Sequence, residues 1–222
     1  MLWEEQVPLL QQGYHKSLVQ KAYSEFSQGK KVYPKRENVF DSMRLTHFAT
    51  TRVVIIGQDP YFNEHPTHGP EAHGLCFSVK EGIPAPPSLQ NIFKEIKQSV
   101  YKGEKDRVFS TDLTRWAIQG VLLLNASLTV IAKQPNSHAE IGWHALTDNI
   151  IETLSNKKKG LVFMLWGAFA QKKAALIDTQ KHLVLKTSHP SPLSAHRGFL
   201  GSGVFVKCNE YLTKKGEQAI QW

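Results

Sequence analysis

The chain has 222 residues, of which 41% are hydrophobic and 21% charged, with a net charge of +8 and two cysteines. That length and apolar content suit one well-buried core in a single domain over residues 1–222, and exclude disordered, fibrous and disulfide-stapled classes. The basic excess favours a polyanionic partner such as nucleic acid, and bears on attraction and salt dependence, not on chemistry.

Up to about Thr50 the sequence reads as helices and loops packed on a sheet formed by the rest of the chain. The start, Met1-Leu2-Trp3-Glu4-Glu5, lacks the basic-then-apolar order of a signal peptide. No stretch approaches the ~18 apolar residues of a membrane span. Cys76 and Cys208 lie in apolar contexts without metal or redox spacing, as free buried thiols of a reducing, cytoplasmic compartment would. Val53-Val54-Ile55-Ile56 predicts a short strand buried on both faces. Gly57 then lets the backbone turn, and Asp59, fixed by Pro60 and flanked by Tyr61, stands beyond the strand end. Taken alone, this is also an ordinary strand exit.

Ile83-Pro84-Ala85-Pro86-Pro87-Ser88 predicts a rigid loop with Ser88 as N-cap of a helix whose apolar stripe is Leu89, Ile92, Phe93, Ile96 and Val100. A second apolar run, Val121–Leu124, ends in Asn125; a third, Leu161–Leu165, ends in Trp166-Gly167. A fourth, Leu183–Leu185, ends in Lys186-Thr187-Ser188-His189-Pro190. Leu146, Ile150, Ile151 and Leu154 predict a helix between the second and third runs, Ala168–Ile177 a helix between the third and fourth, and Val204, Cys208, Tyr211 and Leu212 a last one. Lys157-Lys158-Lys159 and Lys214-Lys215 read as solvated helix ends.

Strands alternating with helices give an α/β fold with a mostly parallel, helix-covered sheet. Asp59, Asn125 and His189 then share one sheet edge, where open α/β sheets bind ligands. The segment Ser188–Phe199 is stiffened by Pro190 and Pro192. Ser191, Ser194 and Arg197 offer compact donors for phosphate oxygens, and Leu193 stands among them as either a stray surface leucine or an inserting wedge.

Gly57-Gln58-Asp59-Pro60-Tyr61, His73-Gly74-Leu75-Cys76-Phe77-Ser78, Leu122-Leu123-Leu124-Asn125 and His189-Pro190-Ser191-Pro192-Leu193-Ser194 resemble the motifs of family 1 uracil-DNA glycosylases. The likeness runs in family order from Val32-Tyr33-Pro34 to near the C-terminus. It implies a central four-stranded parallel sheet flanked by helices on both faces. It also implies a monomeric enzyme that flips uracil out of single- or double-stranded DNA and hydrolyses its N-glycosidic bond without metal or organic cofactor. Free uracil is released, and the abasic site left behind initiates base excision repair. Proteins that mimic DNA inhibit this family, so the resemblance also points to such an inhibitor as a partner.

By the same resemblance Asp59 stabilises the oxocarbenium-like sugar and positions or activates water, and His189 donates to uracil O2. Gln58, Tyr61, Phe77 and Asn125 hold the base: Phe77 stacks on it, Asn125 reads its edge, and Tyr61 closes the space beside C5 against a thymine methyl. Without the resemblance Phe77 reads as a core residue before a strand-like Ser78-Val79. Ser88, Ser191 and Ser194 compress the DNA backbone, Arg197 joins them, and Leu193 fills the vacated stack.

One departure from the family pattern is the stretch Phe62-Asn63-Glu64-His65-Pro66-Thr67 before His68-Gly69-Pro70, where the family has histidine directly after the motif tyrosine. Two rivals remain. One is a metal-dependent hydrolase using His65, His68 and His73 near Asp59; the other is a catalytically silent DNA-binding relative.

Overall fold

The computed structural model describes residues 2–104 and 106–222; Met1, the first residue of the start that lacks signal-peptide order, lies outside them. Each of the four apolar runs forms a strand: Val53–Gly57, Val121–Asn125, Val162–Trp166 and Leu183–Thr187. They make one parallel sheet in the spatial order Val121–Asn125, Val53–Gly57, Val162–Trp166, Leu183–Thr187. The first three are buried along their whole length, because helices cover both faces and no polar alternation is tolerated. Leu183–Thr187 is an edge strand and half-buried.

The pleat sorts the strand residues between two cores. Val54, Ile56, Leu122, Leu124, Phe163 and Leu165 pack against Trp143, Leu146, Ile150 and Leu154 of the Trp143–Lys157 helix and against the N-terminal helices. Val53, Ile55, Val121, Leu123, Val162 and Met164 pack on the opposite face against Leu89, Ile92 and Ile96 of the Pro87–Ser99 helix and Phe205, Cys208 and Leu212 of the Val204–Lys214 helix. Both cysteines are free and buried. Among the described residues no helix is long and apolar enough to cross a membrane.

Four local expectations need correction. Ser88 is not an N-cap: Pro86 is, and Ser88 follows Pro87 inside the first turn, because proline suits the first helical position, whose N–H has no helical partner. The predicted helix over Ala168–Ile177 is α-helical only from Gly167 to Lys172 and continues as a 3-10 turn to Leu176. The N-terminal part is not only helices and loops: Val32–Tyr33 pairs antiparallel with Val130–Ile131, a strand too short to show a period. Lys158 is not a solvated helix end. Its ammonium donates to the carbonyls of Phe48, Ala49 and Thr51 at 2.7–2.9 Å, tying the end of the Trp143–Lys157 helix to the loop before the first central strand.

Candidate active site

The parallel register puts Gly57 beside Asn125, so two of the three strand-end groups meet directly at the carboxyl edge. The approach is very close. A Cβ on Gly57 would lie 2.2 Å from Asn125 Oδ1 and 2.8 Å from Cys76 Cβ, so only glycine leaves room for the amide. His189 follows the Leu183–Thr187 strand and overhangs the same edge. A cavity of about 240 Å³ opens there, lined among others by Gln58, Asp59, Tyr61, Phe77, Asn125 and His189, with Ser88 at its rim. The structure thus brings together all six residues expected to handle the base, from four separate segments.

Asp59 is half-buried, and Oδ2 accepts the Asn136 N–H at 2.8 Å. Burial raises the Asp59 carboxyl above its ordinary value, and the bond from Asn136 pulls in the opposite direction. His189 shifts the other way: burial lowers it, which keeps the imidazole neutral at neutral pH. Its tautomer follows from one contact. Nδ1 accepts the Ser191 N–H at 3.0 Å, so the single ring proton of the neutral form sits on Nε2, free to donate.

Phe77 lies on no strand. It adopts a left-handed backbone, φ 61, and its ring lies 5.3 Å from Trp166 and 5.8 Å from His189. A non-glycine residue held there stores about 1–3 kcal/mol, which surrounding structure must offset. The ring belongs to both surroundings: one side packs against the core below the sheet edge and the other lines the cavity, so the core reading and the pocket reading meet in one residue. Tyr61 reaches Phe77 O at 3.5 Å and closes the pocket beside it. The Gln58 side chain turns outward to Asn136 Oδ1 at 2.6 Å, while its carbonyl accepts the Ser127 N–H at 2.9 Å.

Asn136 lies outside the motifs of the sequence, yet it contacts both Asp59 and Gln58. It too has positive φ, 62, in the turn Gln134-Pro135-Asn136-Ser137. Ser137 Oγ accepts the Ile131 N–H, and His138 meets Thr129, which accepts from Trp143 Nε1. A Pro-Asn-Ser turn just after a strand is the signal that would have marked it.

The serine loop stands beside the cavity. Leu193 is 82% exposed, which rejects a core role. Ser194 Oγ donates to His189 O at 2.8 Å, and Ser191 Oγ lies 3.1 Å from Ser194 Oγ, so both hydroxyls bond within the loop. Arg197 is exposed and does not line the cavity. The Phe62–Thr67 stretch forms a small hairpin with Glu64–His65 paired to Gly69–Pro70. His65 and His68 touch each other there, while His73 is buried against Ser78 Oγ at 2.7 Å, so the three histidines of the metal-hydrolase alternative do not converge. Among the described residues no three His, Cys, Asp or Glu side chains are grouped to hold a metal ion.

A family model described as the uracil DNA glycosylase superfamily matches residues 45–213. A uracil-DNA glycosylase of Francisella tularensis subsp. tularensis (strain WY96-3418) is 47% identical over 216 residues, covering 96% of this chain and 93% of that protein. One from Coxiella burnetii (strain RSA 493 / Nine Mile phase I) is 49% identical over 213 residues, covering 96% and 89%. The crystal structure of mimivirus uracil-DNA glycosylase superposes with a TM-score of 0.88 at 28% identity, covering 94% of this chain and 81% of that one. A single-site variant of the mimivirus protein in complex with UGI superposes equally well, TM-score 0.88 at 29% identity, covering 94% and 82%.

Proposed function

The chain belongs to the uracil DNA glycosylase superfamily, and we propose that it works as a family 1 enzyme: it flips uracil out of DNA and hydrolyses the N-glycosidic bond, releasing uracil and leaving an abasic site. The observation that carries this reading is the convergence of Asp59, Asn125 and His189 on one small cavity floored by Phe77. A silent DNA-binding scaffold has no use for a desolvated carboxylate opposite a neutral, donor-bearing imidazole.

The flipped base stacks on Phe77, a contact worth about 1–3 kcal/mol by analogy with single-strand binders. Asn125 donates to uracil O4 and accepts from N3–H; cytosine presents the reverse pattern and leaves buried groups unpaired. Tyr61 occupies the space that a thymine methyl needs, and Gln58 helps hold the base from the Asn136 side. As the C1′–N1 bond breaks, its electron pair leaves with the base and the sugar becomes cationic. Ionised Asp59 stabilises that cation and orients the water that bonds to C1′, taking up the water's proton or passing it to solvent. His189 Nε2–H donates to the charge gathering on uracil O2. Ser88, Ser191, Ser194 and Arg197 grip the phosphates on either side, and Leu193 fills the gap in the stack. To reach phosphate, each loop serine redirects its proton away from its neighbour.

In this reading the protein is one domain over residues 1–222, a monomer without cofactor, working at the DNA in the cytoplasm. A protein that mimics DNA would meet the same cavity and the serine loop beside it and act as inhibitor. The test is direct. Single- and double-stranded oligonucleotides carrying one uracil, cytosine or thymine are incubated with the protein in EDTA. Release of free base and an alkali-labile abasic site from the uracil strands alone is expected. No release, or release only when metal is restored, rejects the reading.

A further inference from the structure

The Pro87–Ser99 helix has two working sides. Leu89, Ile92 and Ile96 enter the core. Ser88, Asn91 and Glu95, at spacings i, i+3 and i+7, share another side. That side faces the segment from His189 to Gly203, and it holds the segment at both ends. Asn91 Nδ2 donates to Pro190 O at 2.8 Å, where the segment begins. Glu95 is fully buried, 0% exposed, and accepts the Gly201 N–H at 2.6 Å and the Gly203 N–H at 2.8 Å, where it ends.

A buried carboxylate is costly unless both oxygens are met, and two charge-assisted bonds from backbone meet them here. The arrangement needs two N–H groups, two residues apart, aimed at one group. Gly201 and Gly203 supply this with φ +81 and +65, a backbone that side chains strain. Between the anchors ride Ser191, Leu193, Ser194 and Arg197, while Ser88 sits one helical turn before Asn91 at the cavity rim. Neither Asn91 nor Glu95 lines the cavity, and neither bonds to Asp59, Asn125 or His189.

We propose that Asn91 and Glu95 are positioning residues for opening the duplex: they fix the Leu193 loop relative to Ser88, so that the two phosphate-facing groups act as one rigid jaw. A wedge presses into a base stack only if its support does not recoil. Extrusion of a paired base costs a few kcal/mol, and a loop free to move would relax instead of transmitting that work. The proposal rests on the functional reading in which this loop engages DNA.

The test uses Asn91→Ala and Glu95→Gln. Glutamine keeps the volume but turns one acceptor into a donor facing an N–H. Single-turnover excision of uracil is measured at saturating enzyme on duplex and on single-stranded oligonucleotides, with free-uracil affinity and melting temperature alongside. Each variant is expected to lose about tenfold on the duplex, equal to about 1.4 kcal/mol. The single strand should change by less than about twofold, since no stack must be opened. Uracil affinity should stay as in the parent protein. Equal losses on both substrates would mean that the bonds are merely structural, and unchanged duplex rates in both variants would mean that the loop needs no anchor; either overturns the proposal. If the unmodified protein releases no uracil from either strand, the functional reading itself has failed. An active parent whose duplex-to-single-strand ratio survives both substitutions sinks only the jaw.

Discussion

The base pocket and the Leu193 loop lie side by side but hold their polar groups differently. In the pocket each key side chain is fixed by the backbone: Asp59 by the Asn136 N–H, and His189 by the Ser191 N–H. Asn125 is seated against Gly57 by strand register. In the loop the hydroxyls of Ser191 and Ser194 bond to each other and to a loop carbonyl, and Leu193 touches solvent. The pocket is therefore set before any ligand arrives, which is what transition-state stabilisation demands. In the proposed function the loop's donors exchange partners when phosphate comes, which suits gripping. Substitutions in the pocket should act on every substrate alike; substitutions in the loop should depend on strandedness and salt.

The largest effect is expected at Asp59. Asp59→Asn keeps the shape and removes the charge, so single-turnover excision should fall about 10²–10³-fold on both single and double strands, the scale of losing one preorganised electrostatic group. DNA binding should survive. On the proposed function the same carboxylate should set an acidic limb in the pH–rate profile. Only its ionised form stabilises a cation, and its value is raised above 3.8 by burial. The rate should therefore climb with pH through a midpoint above 3.8, and no such limb should remain in Asp59→Asn. A near-normal rate in the variant removes Asp59 from the chemistry.

Gly57→Ala tests whether register alone seats the base reader. Its methyl would meet Asn125 Oδ1 at 2.2 Å and Cys76 behind it, so the amide must move. A misplacement of about 1 Å can cost ~10²-fold, and the loss should appear on both substrates together with weaker binding of free uracil. A parent-like uracil affinity would show that Asn125 is not held by this contact.

These two sites also show what the chain discloses before folding. Asp59, Asn125 and His189 were legible because each ends an apolar run, and parallel strands put their ends on one edge. The four strands and the main helices came from the same patterning. Asn136 is legible only as a turn residue: the Pro-Asn-Ser sequence marks the turn, but its contact with Asp59 spans 77 residues and is made through the backbone N–H, which carries no sequence identity. The positive φ of Phe77 was hidden for a similar reason, since phenylalanine has no preference for that conformation and only packing imposes it. Lys158 looked like a surface charge because a lysine run says nothing about which carbonyls lie near. Ser88 lies two residues past the N-cap Pro86, because Pro87 is suited to the first helical position.

Leu193→Ala should separate loop from pocket. At 82% exposure the side chain contributes little to stability, so the change should stay within about 0.5 kcal/mol and leave the melting temperature nearly unmoved. Excision from duplex DNA should slow several-fold, with a smaller loss on the single strand, where no stack is refilled. Equal losses on both would erase the distinction between the two regions.

The smallest effect is expected at Arg197, and it is read in salt, not in rate. Arg197 is exposed and does not line the cavity, so chemistry should not feel its loss. If it neutralises one phosphate, binding DNA releases about one counterion on its account. Arg197→Ala should then weaken DNA binding by a similar factor for every sequence and reduce the slope of log affinity against log salt by about one. Free-uracil affinity and single-turnover excision at saturation should match the parent. A slope identical to the parent's would show that Arg197 meets no phosphate. A loss at saturation on both strands would show instead that Arg197 reaches the chemistry, and the boundary between a fixed pocket and a gripping loop would have to be redrawn.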